Sequence, residues 1–270
     1  MDVTSFPARP DLPGRPDIPV RPDGAGRVPR RRRRVIALVA AIIVATTGAA
    51  VWAVVGTEPE GQHAFLATRR DGEPVRWNPC EPIRYEVNLE GSPHGALDAV
   101  HTAIERVGTA TGIDFVEVGT TDRTPQATQA SDFIGPWPDR ELLPVLVSWV
   151  SAEAFREWAS PRRYVALGLP RRVGFGDDDR YRSGMIVVNT GARVLPGDRG
   201  PFSLEQVLMH EWGHILGLGH VRSGDELMWS PEVPGADEEP DLDQVDWGTG
   251  DLEGLAAVGR SAGCLPDAGG

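Results

Sequence analysis

The sequence predicts a layered domain of the α+β / α/β class, carried behind a single membrane-spanning helix. Three features predict it. Strand, helix and strand patterns follow one another between residues 83 and 118, an apolar-faced helix with stop and start signals at both ends begins at Ser203, and an uncharged run over 35–55 stands directly behind five consecutive arginines. A chain of 270 residues has room for one substantial globular domain with accessories.

In chain order, residues 1–34 read as a disordered Pro/Arg-rich tail. They repeat an Arg-Pro-Asp unit at Arg9, Arg15 and Arg21, and such a segment cannot bury enough apolar surface to offset its ordering entropy. Residues 35–55 follow the arginine run 30–34 and carry no charge over 21 positions. As a helix they reach about 31 Å, the thickness of a bilayer core. Trp52 sits where an interfacial aromatic is favoured, and the arginines place the tail in the cytoplasm and the body outside. The expected topology is a single-pass membrane protein with an extracytoplasmic body. The alternative is secretion after signal cleavage, for which small residues such as Ala50 and Ala53 are available.

Residues 56–76 are polar and read as a linker, 77–264 as the globular domain and 265–270 as a short tail. Within the domain Ile83–Asn88 alternates like a strand, and 96–107 places Leu97, Val100, Ile104 and Val107 at helical spacing. Strands are expected at 113–118, at Val145–Val150, at an edge position over 164–167, and at 185–189.

The formal charge is −12, and all 27 basic residues are arginine, which reads as compositional bias and not chemistry. Residues 1–34 hold nine Arg against four Asp, so the rest of the chain is strongly acidic. That balance argues against nucleic acid as a partner. Only two cysteines occur, Cys80 and Cys264, near the two ends of the expected domain. They exclude a four-cysteine metal site. In an oxidising compartment they could close one disulfide across the domain ends, the alternative being two unpaired thiols.

The chemistry concentrates in 203–220. Ser203 is a plausible N-cap with Gln206 as its capping-box partner, Phe202 and Val207 occupy the staple positions, and Gly217 suits a left-handed stop. Leu204, Leu208, Met209, Trp212, Ile215 and Leu216 cover a broad apolar arc. His210 and His214 lie one turn apart on another face, so their imidazoles can converge on one ion. The chain reversal at Gly217 brings His220 round as a third nitrogen. Three ligands leave one position open on a tetrahedral zinc, as a catalytic site requires. Glu211, beside this patch, is placed to take a proton from water activated at the metal, not to ligate it. Three of the six histidines fall in this one motif. His63, His94 and His101 are scattered and read as surface or packing residues.

This segment, H-E-x-x-H-x-x-G-x-x-H over 210–220, resembles the extended zinc motif of the metzincin metallopeptidases. Met228 lies eight residues after His220 in Glu226-Leu227-Met228-Trp229-Ser230-Pro231, a spacing similar to the matrixin branch. The stretch 251–258 is similar to that branch's C-terminal helix, and the lead-in Trp77-Asn78-Pro79-Cys80 before Ile83-Arg84-Tyr85 is similar to bacterial matrixin-like domains. The resemblance implies a twisted, mostly parallel five-stranded sheet with one antiparallel edge strand and three helices. It implies that Met228 floors the metal without ligating it, and that an extended peptide binds along the edge strand near Val165 and Leu167. The expected activity is a zinc-dependent endopeptidase acting on extracytoplasmic proteins or peptides. Two alternatives stand beside it: a zinc-organised envelope protein that binds without catalysis, and a metal amidase acting on cell-wall peptides. No cysteine-switch propeptide is apparent. Asp177, Asp178 and Asp179 offer hard carboxylates that would suit Ca2+, as does the acidic run 237–243, but a solvated turn is the preferred reading of both.

Overall fold

The computed structural model describes residues 63–125, 142–160, 164–174, 176–192, 203–236 and 246–266. The expected tail 1–34 and anchor 35–55 lie outside these residues. Among the described residues no helix is long and apolar enough to cross a membrane.

The elements in chain order are β1 (Ala64–Phe65), β2 (Ile83–Asn88), α1 (Ala96–Thr111), β3 (Phe115–Thr120), β4 (Val145–Val150), β5 (Ala166–Val173), β6 (Arg180–Asn189), α2 (Leu204–Leu216), β7 (Leu218–Gly219) and α3 (Thr249–Val258). A single helical turn, Ala152–Phe155, follows β4. The main sheet has five strands in the order β3-β2-β4-β6-β5. The pairs β2/β3, β2/β4 and β4/β6 are parallel, and β5 runs antiparallel to β6 at the edge. Among the described residues the mixed architecture, a mostly parallel five-stranded sheet with few helices, is the one expected.

Why β4 reads as an unbroken apolar run is clear from its place. It lies at the centre of the sheet and is buried on both faces, as parallel strands are. Val145, Val147 and Trp149 face the helices α1 and α2, while Leu146 points to a second cluster with Phe155, Met185 and Val187. Helix α1 turns Ala96, Ala99, Val100, Ala103 and Val107 inward. These mostly small residues let it sit close to the sheet, and Leu97 and Ile104 are only partly buried beside it. In α2, Trp212 is fully buried and meets Tyr85 and Phe115 edge-on, at 6.1 and 5.3 Å between ring centroids. This aromatic wedge pins the middle of α2 to the sheet.

The expected elements differ from the observed ones where polar residues enter strands. The strand expected at 113–118 begins at Phe115, because the Thr111 hydroxyl accepts the Ile113 N–H and holds the turn out of the helix. The edge strand is eight residues long, not four: Pro170 and the pair Arg171-Arg172 read as a break, yet an edge strand tolerates both. The first half of β6 is also polar. Arg180 is buried there because its guanidinium donates to the Pro266 and Asp178 carbonyls at 2.7 and 3.2 Å.

The fold also starts before residue 77. Strand β1 pairs antiparallel with β7, the Leu66 N–H donates to the Gly217 carbonyl at 2.9 Å, and Val75 is fully buried. Residues 64–76, read from sequence as part of the linker 56–76, therefore belong to the domain. Their partners lie some 150 positions away and leave no local pattern.

Cys80 and Cys264 form a disulfide across a sequence separation of 184. Arg76 reinforces it by donating to the carbonyls of Gly263 and Ala262 at 2.9 and 3.1 Å, and the Leu265 N–H donates to Asn78 Oδ1 at 3.0 Å. A loop this long gives a cross-link its largest effect on the unfolded chain. Replacing both cysteines with serine is expected to cost about 4 kcal/mol. The check is the denaturant midpoint and slope of the paired variant against the oxidised parent, the slope rising because the unfolded chain is less compact without the cross-link.

Candidate metal centre

Helix α2 is fixed at both ends by its own sequence. The Ser203 hydroxyl accepts the Gln206 N–H at 3.2 Å, and the Gln206 side chain accepts the Ser203 N–H at 3.2 Å, closing the capping box. The expected staple partner Phe202 lies outside the described residues. At the far end Gly217 takes φ 112°, a left-handed conformation that lets the chain double back. Two residues of β7 follow, and then His220.

That reversal brings three imidazoles together. His220 Nε2 stands 3.1 Å from His210 Nε2 and 3.0 Å from His214 Nε2. The outer nitrogens are committed elsewhere. His210 Nδ1 meets the Leu227 carbonyl at 2.7 Å, and His214 Nδ1 meets the Leu218 carbonyl at 2.8 Å. A carbonyl only accepts, so each Nδ1 carries the proton and each Nε2 presents a bare lone pair. His220 Nε2 can donate to at most one of the two. Converging lone pairs at this distance repel unless a cation lies among them. Ligand nitrogens around a tetrahedral zinc stand about 3.3 Å apart for bonds of about 2.0–2.1 Å, close to the observed spacing. The triad therefore fits a metal, and it is the only group of three or more metal-capable side chains found among the described residues.

Burial sets the electrostatics. It lowers His210 to about 4, with His220 adding to the shift, and it lowers His214 well below its ordinary value. His220 is lowered too, again by burial. All three rings are thus neutral, and ready to ligate, at pH values where an exposed histidine is already protonated.

Glu211 is buried beside the triad. Burial raises its carboxyl to about 8, and a hydrogen bond from the Gly168 backbone N–H pulls the other way. This contact depends on how closely β5 approaches α2. A Cβ at residue 168 would overlap the Glu211 carbonyl and stand 3.0 Å from His214 Cβ, so Gly168 admits a closeness no other residue allows. The sequence pattern did not single it out.

Met228 is buried directly beneath the triad helix. Its sulfur stands 2.5 Å from where a Cβ on residue 213 would be, so Gly213 makes the room it fills. Its segment is tied on both sides. The Val221 N–H donates to the Met228 carbonyl at 3.0 Å, and the Ser230 N–H donates to the Val221 carbonyl at 3.2 Å.

From α3, the fully buried Asp251 accepts from the N–H groups of Leu227 at 2.5 Å, Gly248 at 3.1 Å and Met228 at 3.3 Å. Glu226 reciprocates by accepting from Gly250 and Asp251 at 3.0 and 2.8 Å. One peptide group, Leu227 C=O with Met228 N–H, therefore links Asp251 to His210. It donates to the carboxyl at one end and accepts the imidazole Nδ1–H at the other, so each bond polarises the next. Burial raises the Asp251 carboxyl to about 7, the charge of Glu226 adds to the rise, and the N–H donors oppose it. The role of Asp251 was not visible in sequence, where it read only as the start of a helix. Asp251→Ala strands three backbone donors and is expected to cost about 3 kcal/mol. Its denaturant midpoint checks this, and weaker retention of metal is expected alongside.

The other sequence candidates lie apart from the triad. His101 Nε2 meets Glu117 Oε2 at 2.7 Å, His63 stands 3.7 Å from Glu253, and His94 is exposed. In the acidic turn Asp179 pairs with Arg172, and Asp178 lies 3.8 Å from Arg180. The run 237–243 lies outside the described residues.

A cleft of about 640 Å³ opens onto the triad. One side is the free edge of β5 with Val165, Leu167 and Gly168, and the other is the segment Leu227 to Glu232. A family model described as matrixin matches residues 149–249, the stretch that holds β5, β6, α2 and the Met228 segment. A search of curated proteins found no match.

Proposed function

We infer that this chain, which carries a matrixin-like metzincin domain and the zinc metallopeptidase chemistry of that family, is an endopeptidase that cuts extended segments of extracytoplasmic proteins. The observation that carries this reading is the convergence of three imidazole Nε2 atoms beside one buried carboxyl in an open cleft.

In this reading His210, His214 and His220 hold one zinc ion, and Met228 lies below without ligating. Zinc there would supply Lewis acidity, bringing the pKa of water towards neutrality and polarising the scissile carbonyl. Glu211 takes the proton from the attacking water on its carboxylate and delivers it to the leaving amine nitrogen. Burial, opposed by the Gly168 N–H, leaves Glu211 at about 8, and a divalent cation held by the triad would bring it down towards the range where it both accepts and returns a proton near neutral pH. Gly168 N–H orients that carboxylate. β5 is the edge strand of the described sheet, where a peptide laid alongside would bind by strand addition.

The placement outside the membrane rests on the arginine run and the uncharged segment 35–55. A disulfide between Cys80 and Cys264 suits an oxidising compartment.

The test is cleavage of an unfolded protein by the purified chain, before and after chelation. Cleavage lost with chelator and restored by one equivalent of zinc supports the reading. A zinc-loaded protein that cuts no protein or peptide, yet binds an envelope component, would replace it with the non-catalytic alternative.

A further inference from the structure

A single exposed leucine is ordinary on a protein surface. Leu66 differs by its place. It is 47% exposed, and of the five exposed large apolar side chains among the described residues it alone lines the cleft. It comes from outside residues 149–249, the stretch that the matrixin model matches. Its backbone is held at the chain reversal after α2. The Leu66 N–H donates to the Gly217 carbonyl at 2.9 Å, and the residues just before it pair with β7, Phe65 against Leu218 and Ala64 against Gly219. The residue just after it is held too, since the Ala67 carbonyl accepts the Val75 N–H at 2.9 Å. A side chain on a backbone tied at both sides meets a ligand with little further loss of chain freedom.

Leu66 also stands apart from the apolar wall at the start of α2. Gln206 and Val207 line the cleft from the first turns of that helix, His210 and His214 follow, and Leu66 is bonded at the Gly217 end. Val207 and Gly217 are separated by about 15 Å along the helix axis, with the two histidines between them. One substrate side chain therefore cannot touch both Val207 and Leu66. We propose that Leu66 is a specificity-determining residue, which gives a large aliphatic or aromatic side chain of the substrate an apolar contact on the far side of the triad from Val207. For its substrate class this rests on the peptidase reading. Covering about 40 Å² of apolar surface between two such side chains is worth about fivefold in affinity over a serine at the same substrate position.

Binding is measured apart from cleavage. Zinc-loaded Glu211→Ala protein is titrated with labelled peptides in which leucine, serine or glutamate is placed in turn at each position of an otherwise fixed sequence. Adding Leu66→Ser is expected to remove a leucine preference of about fivefold at one position and to leave the apolar preferences at other positions as they were. Adding Leu66→Lys is expected to remove the same preference and to make glutamate the better residue there by about two- to threefold. Zinc content and thermal midpoint are expected to stay unchanged in both variants, because the side chain is exposed and the tie to Gly217 runs through the backbone. A profile that neither substitution alters at any position, a loss spread evenly over all positions, or a fall in zinc content would overturn the proposal. Wild-type cleavage of the same peptides reports separately on the peptidase reading. Binding that depends on Leu66 without any cleavage would uphold the contact and overturn that reading, and cleavage with a profile indifferent to Leu66 would do the reverse.

Discussion

Glu211→Ala lowers the turnover of an unfolded protein substrate by about a thousandfold, the scale of a lost general base, while one zinc per chain remains bound. The retention of metal follows from geometry. Glu211 makes no contact that holds an imidazole, and the two helix histidines are oriented by the Leu227 and Leu218 carbonyls. Glu211→Gln separates chemistry from packing. Glutamine keeps the volume and can still accept the Gly168 N–H, but it cannot take a proton. Both variants are therefore expected to be equally inactive in single-turnover cleavage, with zinc content near that of the parent. A glutamine variant within tenfold of wild type would remove Glu211 from the proton-transfer role and leave it a packing residue.

His220→Ala acts on the metal itself. A structural zinc site of four ligands binds with about 10–16 kcal/mol, so one of three ligands carries several kcal/mol and its loss weakens zinc binding on the order of a thousandfold. Competitive titration against a chromophoric chelator reads this directly. Fold stability without metal is expected to change little, because His220 follows the reversal and removing it relieves the crowding of lone pairs at 3.0 and 3.1 Å. The sign of the pH dependence also follows. A histidine whose pKa is lowered binds no proton between its lowered and ordinary values, so protons do not compete for it there. With His210 near 4 and the other two also lowered, zinc stays bound as the pH falls from 7 through 6 and is released only as these rings protonate below that range. Release centred near 6.5 would mean that the rings are not buried as described.

What was legible in the sequence was whatever repeats or pairs over short distances. The capping box of Ser203 and Gln206, the left-handed stop at Gly217 and the one-turn spacing of His210 and His214 are all local, and the structure shows each helix signal where the pattern placed it. The central strand β4 was legible because burial on both faces leaves no polar interruption. The unread parts depend on distant partners. Pro170 and Arg171-Arg172 look like a strand end until β6 pairs with them. Residues 64–65 look like linker until β7 meets them. Asp251 reads as an ordinary first-turn acid, yet its acceptors serve Leu227 and Met228, more than twenty positions earlier. Tyr164 and Glu232 carry no motif at all, and only folding brings them together across the cleft.

The proposed catalysis depends on three Nε2 atoms sharing one ion with a coordination position left open. A crystal structure of the zinc-loaded protein, with anomalous data collected on both sides of the zinc absorption edge, tests this most directly. The expected result is a single anomalous peak bonded to Nε2 of His210, His214 and His220, with a fourth position filled by a non-protein oxygen near the Glu211 carboxylate. A peak elsewhere, or a fourth protein side chain closing the coordination sphere, would contradict it.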